Sequence, residues 1–320
     1  MKSEKNVYAA YYDDDIRMKS SSGAIFYLLA SAVLQKRGIV FGVAMDDLYN
    51  EAEYICVTEK ENLNKLLGSK YMQANMNDVY SNVKENLLLD KLVLFTGTGC
   101  QINGLKNFLE IDYDNLLCVD VICHGVPSKK LWNKYLNFRI NEKEIIKHVN
   151  FRCKKYGWEN FGVQIETENK KRFISKSDDE YMQLFLNDYC LRPSCYTCKA
   201  KTLKMSDLTI GDFWGIDNIC PNMNDHLGLS LIIIRTKKGL NFFDLIKNNL
   251  VLKKVDYDIA VKDNCAEYCS VNRPKERDNF YVDLDDLNFS SLKKKYIKLS
   301  FKQRIKRIIR RVKRKQVKVY

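Results

Sequence analysis

Apolar residues along the chain fall into short continuous blocks separated by longer segments of helical spacing. The blocks "IVFGVAM" (39–45), "LVLFTG" (92–97), "LLCVDVIC" (116–123) and "LSLIIIRT" (229–236) have the length and apolar continuity of buried strands. "EAEYICVT" (51–58) also reads as a strand. Between them, "GAIFYLLASAVLQKRG" (23–38) reads as a helix closed by Gly38. "NDVYSNVKENLLLDK" (77–91), "CQINGLKNFLE" (100–110) and "KKLWNKYLNFRI" (129–140) repeat the helical spacing. Apolar strands alternating with helices predict an α/β fold: a mostly parallel central sheet with flanking helices.

The pattern changes near residue 145. "IIKHVNFRC" (145–153) and "FGVQIETENKKRFIS" (161–175) read as paired strands. "DEYMQLFLNDY" (179–189) reads as a helix leading into a cysteine-bearing loop, and "KGLNFFDLIKNN" (238–249) as another helix. No internal repeat and no Pro/Ser-rich linker divides the chain. One α/β domain is therefore expected over residues 1–290, followed by a tail over 291–320. In that tail Phe301, Ile305, Ile308, Ile309 and Val312 form one apolar stripe, predicting a basic amphipathic helix over 300–315.

Charge changes the picture only at that end. The formal net charge is +13, and residues 291–320 hold fourteen Lys and Arg with no Asp or Glu, so the body is nearly neutral. Basicity confined to an amphipathic tail favours an anionic membrane surface over nucleic acid as its partner. The expected location is cytoplasmic, with the tail peripheral at the inner face of the plasma membrane. The first residues carry charge from the start and no apolar signal region, and no apolar run approaches the roughly 18 residues of a spanning helix.

Eleven cysteines without a secretion signal point to a reducing compartment, and the odd number precludes complete pairing within the chain. Cys100 follows "LFTGTG" and Cys123 ends "VDVIC", each where a buried strand gives way to a loop and then a helix. Ligands gather at such strand ends in open α/β sheets. Cys195 and Cys198 form a C-x-x-C in "LRPSCYTCKAK" (191–201). Four thiolates suit zinc or an iron–sulfur cluster, and spacing alone leaves both open. Cys56, Cys118 and Cys153 sit inside strand patterns and read as small buried apolar residues. Cys190 is a reserve ligand; Cys220, Cys265 and Cys269 read as structural.

His124, next to Cys123, could relay a proton or donate to its sulfur; an ordinary loop-capping histidine is the alternative. Ser20, Ser21, Ser22 and Gly23 open the first helix, where hydroxyls cap and backbone N–H groups suit a phosphate. Lys70 stands beside an aromatic residue in "GSKYMQAN" (68–75), which would suit a phosphate or a flavin edge. The turn Thr96, Gly97, Thr98 exposes backbone N–H groups that could hold a phosphate or stabilise a thiolate. "TIGDFWGI" (209–216) combines a carboxylate with two aromatic rings, fit for ring stacking or for a packed turn.

In order along the chain, "KSSSGAIF", "GSKYMQA", "LFTGTGCQINGL", "VDVICHGVPS", "FRCKKYGW", "LRPSCYTCKAK", "SDLTIGDFWGI" and "SVNRPKERDNF" resemble the beta subunits of coenzyme F-420-reducing hydrogenases and the related formate dehydrogenases. The likeness runs from about residue 7 to about 282. It implies an iron–sulfur flavoprotein with a 4Fe-4S cluster and FAD, passing electrons to or from an organic acceptor, either deazaflavin coenzyme F-420 or another small molecule. It implies Cys100, Cys123, Cys195 and Cys198 as cluster ligands. It also implies Ser20 to Gly23, Lys70 and Thr96 to Thr98 as flavin contacts. Many relatives begin with a ferredoxin-like module; this chain resembles the short form, so ferredoxin or another iron–sulfur donor is the expected partner. Relatives with such tails stand beside surface-polysaccharide enzymes, which implies a role there. The chain departs from the usual pattern at Ala24 (usually Gly), Gly99 (usually Pro) and Lys199 (often Pro). None of these removes a thiolate. The alternative is a zinc-binding or structural cysteine-rich interaction protein without redox activity.

Overall fold

The computed structural model of the chain describes residues 6–141 and 143–298. Twelve strands are present among them: β1 (Asn6–Tyr11), β2 (Ile39–Met45), β3 (Ala52–Val57), β4 (Ala74–Asn75), β5 (Val93–Thr98), β6 (Leu116–Val121), β7 (Ile146–Cys153), β8 (Gly162–Thr167), β9 (Lys171–Ser175), β10 (Leu208–Asp212), β11 (Ser230–Ile234) and β12 (Val251–Lys254). The helices among them are α1 (Asp14–Lys19), α2 (Ile25–Gln35), α3 (Val79–Leu88), α4 (Gly99–Leu109), α5 (Lys129–Arg139), α6 (Glu180–Leu186), α7 (Lys237–Ile246), α8 (Tyr257–Ala260), α9 (Arg277–Asp286) and α10 (Phe289–Tyr296).

Nine strands form one sheet in the order β12-β1-β11-β10-β6-β5-β2-β3-β4, and β7-β8-β9 form a second, antiparallel sheet. The expected α/β architecture is present. Its parallel part is the central run β10-β6-β5-β2, with the short β3-β4 pair at one edge. Antiparallel ladders join β2 to β3 and extend the other side through β11, β1 and β12. Strand β12 carried no clear apolar block; it is the edge strand of the sheet and is mostly exposed. Strand β1 is buried on both faces, with Val7 and Ala9 in one core and Ala10 in another.

The central strands read as unbroken apolar blocks because both faces are covered. Phe95 and Cys118 point into one core with Trp132 and Phe151, while Leu94 and Leu117 point into the other with Leu29 and Val33. That alternation is the two-residue period of a strand with apolar packing on both sides.

The pairing directions bring many segment ends to one edge of the large sheet. Thr98, Val121 and Asp212 end parallel strands there. Antiparallel pairing places Ser230 opposite both Asp212 and Ala10 at the same edge. The small sheet packs into this region, with Phe151, Val163 and Ile165 in the core shared with Phe95 and Trp132.

The domain boundary expected at 290/291 falls inside α10. Phe289, Leu292 and Tyr296 are buried, and rings of Phe138, Tyr135 and Tyr189 pack against Phe289 and Tyr296. The basic run of the sequence begins in this helix, but its apolar face belongs to the body. The amphipathic helix expected over 300–315 lies outside the described residues. No described helix is long and apolar enough to cross a membrane.

Candidate redox site

The Thr96–Thr98 turn is built around the absence of a side chain at Gly97. A Cβ there would lie 2.2 Å from the Tyr54 hydroxyl. Tyr54 donates to the Thr96 carbonyl at 3.1 Å, and Thr96 Oγ1 donates to the Phe41 carbonyl at 3.3 Å. Thr98 caps α4, and its N–H donates to Gln101 Oε1 at 2.8 Å. Thr98 Oγ1 lies 3.2 Å from Cys100 Sγ, and Cys100 is exposed in the first turn of α4. Gly99 brings that turn close to the 199–201 segment, since a Cβ on it would sit 3.2 Å from Ala200 Cβ. A strand end and the C-x-x-C loop thus meet.

Cys123, Cys195 and Cys198 approach Cys100 from two other segments. Burial pushes the Cys123 thiol up to about 12; Lys201 opposes this, and Cys100, Cys195 and Cys198 add to it. Burial also raises the Cys195 thiol, with Cys100 and Cys198 adding repulsion. The four thiols therefore share one electrostatic environment. Lys201 Nζ donates to the carbonyls of Cys123 and Ala266, tying the Cys123 loop to the 265–267 turn. Cys198 N–H donates to Ser270 Oγ at 3.0 Å, and Cys195 N–H to the Arg192 carbonyl at 2.9 Å.

Four neighbouring thiols are the soft donor set that zinc or an iron–sulfur cluster takes, each bound as the thiolate. Among the described residues, no three His, Cys, Asp or Glu side chains converge on a point for a single ion.

The other cysteines divide differently from the sequence reading. Cys118 and Cys190 are fully buried. Cys190 offers its carbonyl to Ser128 N–H at 3.2 Å and to the Tyr281 hydroxyl at 2.8 Å. Cys56, expected inside the core, is exposed: it shares the face of Ala52 and Tyr54 but lies near the end of β3. Cys153 is partly exposed, its thiol 3.3 Å from Gln164 Oε1.

His124 is anchored by a residue that the sequence did not single out. Its Nε2 lies 2.6 Å from Asp188 Oδ1, and its ring meets Phe185 edge-on at 5.2 Å. Asp188 sits just beyond α6 at φ 64, a backbone region that Asp tolerates better than most residues.

The Ser20–Gly23 loop is clamped from three sides. Ser22 Oγ donates to the Leu229 carbonyl at 2.6 Å, and Gly23 N–H donates to Ser230 Oγ at 2.9 Å. A Cβ at Gly23 would lie 2.4 Å from the Ala10 carbonyl oxygen. Ala24, where the resemblance leads one to expect glycine, adopts φ 67; this left-handed conformation costs roughly 1 kcal/mol for a residue with a Cβ. Ser21 Oγ and Ser69 Oγ are 2.7 Å apart, which joins this loop to the Lys70 segment. Leu66, ahead of that segment, and Thr96 Oγ1 both lie 3.1 Å from where a Cβ on Gly42 would sit. The serine loop and the Lys70 segment are therefore neighbours.

Lys70 itself turns onto its own loop, donating to the carbonyls of Lys65 at 3.0 Å and Leu67 at 2.9 Å. Burial lowers its pKa to about 7. The cations closest to the serine loop come instead from β7 and the residue after it. Arg152 Nη2 is 3.4 Å from the Ser21 carbonyl, and Lys154 Nζ donates to the carbonyls of Arg17, Ser22 and Leu227 at 2.6, 3.1 and 2.7 Å. Ser20 Oγ and Arg152 Nε are buried without a partner among the described residues. Two orphaned polar atoms beside a loop with two buried cations fit a phosphate group. The "TIGDFWGI" turn is a packed one: Trp214 stacks on Trp158 at 4.7 Å, Phe213 is buried, and Asp212 pairs with Arg152.

Fold and site define an α/β protein with a cysteine-lined, loop-walled crevice at one edge of its sheet. The family model for the C-terminal part of the beta subunit of coenzyme F420 hydrogenase/dehydrogenase matches residues 90–259, and the chain belongs to this family. It is a subunit of the F420 hydrogenase/dehydrogenase oxidoreductase type. A chain in a structure of the F420-reducing [NiFe] hydrogenase complex from Methanosarcina barkeri is similar in fold. It shares 17% identity, with 83% of this chain and 89% of that chain covered, at a TM-score of 0.57. All four clustered cysteines lie inside the matched range, whereas the Ser20–Gly23 loop and Lys70 lie outside it.

Proposed function

We propose that this protein is an iron–sulfur flavoprotein that passes electrons between a 4Fe-4S cluster, FAD and a small organic molecule. The observation that carries this reading is the mutual interaction of Cys100, Cys123, Cys195 and Cys198, brought together from three separate segments. When bound, the cluster and flavin supply one- and two-electron transfer. The four cysteines would hold the cluster. Lys201 fixes the Cys123 backbone and lays positive charge beside the thiolates, which favours their deprotonated form. His124, next to Cys123 and oriented by Asp188, would relay a proton there. Ser20 to Gly23 would bind the flavin phosphate, with Arg152 and Lys154 fixing the loop. Thr96 to Thr98 would border the same cofactor.

Coenzyme F-420 or another small molecule is the proposed organic acceptor. The electron donor is proposed to be ferredoxin or another iron–sulfur protein. The basic tail is proposed to rest on an anionic membrane surface at the cytoplasmic face, and the resemblance supports a role in surface-polysaccharide biosynthesis. Zinc binding without redox activity is the competing reading.

Anaerobic purification with iron, sulfide and flavin analysis tests the proposal. A yellow-brown protein with iron, sulfide and FAD, bleached by dithionite, is expected. A colourless protein that retains zinc instead overturns it.

A further inference from the structure

A cavity of about 550 Å³ opens beside the cysteine cage, between β4, the start of α5, the 192–193 loop and α9. That volume is of the size that takes a small organic ligand. Its lining includes Glu51, Ser128, Lys129, Arg192, Arg277 and Tyr281. Three cations thus face one carboxylate. Lys129 Nζ pairs with Glu51 Oε2 at 2.5 Å, which accounts for that carboxylate.

The remaining positive charge is incompletely compensated. Arg277 is buried and lies 4.1 Å over the Tyr281 ring. Its Nη2 donates to the Leu191 carbonyl at 3.1 Å, and its Nη1 reaches Asp278, an exposed carboxylate, at 3.2 Å. Its Nε is buried with no partner among the described residues. Arg192 is exposed and makes no ion pair among the described residues. The N-terminus of α5, an eleven-residue helix capped by Ser128, adds the positive end of its dipole to the same wall. One buried donor left open on Arg277, the unpaired guanidinium of Arg192 and a helix N-terminus around one cavity have a common complement: an oxyanion, a phosphate or carboxylate.

The cavity shares a wall with the cage. Arg192 N–H donates to the Val126 carbonyl at 3.0 Å, and the Arg192 carbonyl accepts from Cys195 N–H at 2.9 Å. Tyr281 and Arg277 hold the carbonyls of Cys190 and Leu191, so the loop leading to Cys195 is fixed by the residues that line the cavity.

We propose that this cavity binds the oxyanion end of a small organic molecule through Arg192, Arg277 and Lys129. On the redox reading above, on which this clause rests, that molecule is the electron acceptor. The chemistry of the end group is open between phosphate and carboxylate, and the two are separated by probe.

The test is calorimetric titration of the anaerobically purified full-length protein with inorganic pyrophosphate and, in a second arm, with malonate. Saturable binding of at least one probe is expected. Arg192→Gln should weaken it about tenfold, as loss of one charge-assisted contact does, and Arg192→Lys should restore part of the loss. Lys129→Gln, which leaves Glu51 uncompensated, should weaken it further. Arg192 and Lys129 are surface side chains, so both variants should keep the wild-type melting temperature. Binding of pyrophosphate alone supports a phosphate site; binding of malonate alone supports a carboxylate site. Absence of saturable binding for both probes overturns the proposal, as does unchanged affinity in Arg192→Gln. Iron content of the same samples reports on the cage separately. Arg192-dependent binding by an iron-free protein keeps the cavity and removes the redox reading, whereas an iron-loaded protein that binds neither probe removes the cavity alone.

Discussion

Arg152 and Asp212 face each other where the small sheet meets the large one, with contacts of 2.7 Å (Nη1 to Oδ2) and 3.0 Å (Nη2 to Oδ1). Arg152 comes from β7 and Asp212 ends β10, so this bidentate pair fixes the cover of the crevice to its floor. Both side chains are largely buried. Removing one partner of such a pair leaves a charge without compensation and costs about 3–5 kcal/mol. Asp212→Asn should therefore lower the urea midpoint markedly and reduce bound flavin. An unchanged midpoint would show that the two sheets are held by apolar packing alone.

Single serine replacements at Cys100, Cys123, Cys195 and Cys198 should each lower the iron content of the anaerobic protein. Cys56→Ser, at an exposed position outside the cage, should not. Iron retained at the wild-type level in any one of the four removes that residue from the ligand set.

Asp188→Asn should leave iron and flavin in place while slowing electron transfer. The carboxylate fixes the His124 ring by one contact at 2.6 Å, and loss of such an orienting partner costs about 10- to 100-fold in comparable sites. The pH profile of the rate should change shape as well, which a purely structural role for Asp188 does not produce.

Lys154 gives the protein a specific dependence on pH. Burial, with Arg152 adding repulsion, lowers its pKa to about 7, while the unfolded chain holds the ordinary lysine value of about 10.4. Between those two values the unfolded chain binds more protons, so this residue makes stability rise with pH. Its destabilising contribution is complete below about pH 7 and fades as pH approaches 10. The difference in melting temperature between the wild type and Lys154→Met should therefore shift in favour of the wild type from pH 7 to pH 9.5. A difference independent of pH would show that Lys154 titrates normally.

Full-length protein should co-sediment with anionic liposomes and a truncation after residue 298 should not. The cut belongs there because α10 is docked through Phe289, Leu292 and Tyr296, and truncation at 290 would open the core. Equal binding by both forms would exclude the tail as the membrane contact.

Much of the site was legible because its chemistry travels with local motifs. The glycine-bounded turn before Cys100, the loop after Cys123 and the C-x-x-C pair each announce themselves in a few residues. The family model then covers all four clustered cysteines. What escaped the sequence were residues that act across distance. Asp188 was an ordinary acidic residue at a helix end until the fold set it against His124. Arg152 and Lys154 stood in the quoted stretch "FRCKKYGW" with no contact assigned to them, yet they hold the Ser20–Gly23 loop from more than 130 positions away. Lys70, legible as a phosphate ligand, is satisfied by carbonyls of its own loop. Arg192 and Arg277 stand inside the quoted stretches "LRPSCYTCKAK" and "SVNRPKERDNF", but nothing local assigned either a contact.

The sequence by itself determined the alternation of buried strands and helices, because burial on both faces imposes continuous apolar blocks at the centre of a sheet. It also determined which cysteines stand at strand ends. Tertiary structure decided the rest: the antiparallel extension through β11, β1 and β12, the docking of α10, the clamp on the serine loop and the basic cavity beside Cys195. Each of these depends on pairing partners distant in sequence. Charge compensation and strand direction belong to the pair rather than to either residue, so no local pattern can carry them.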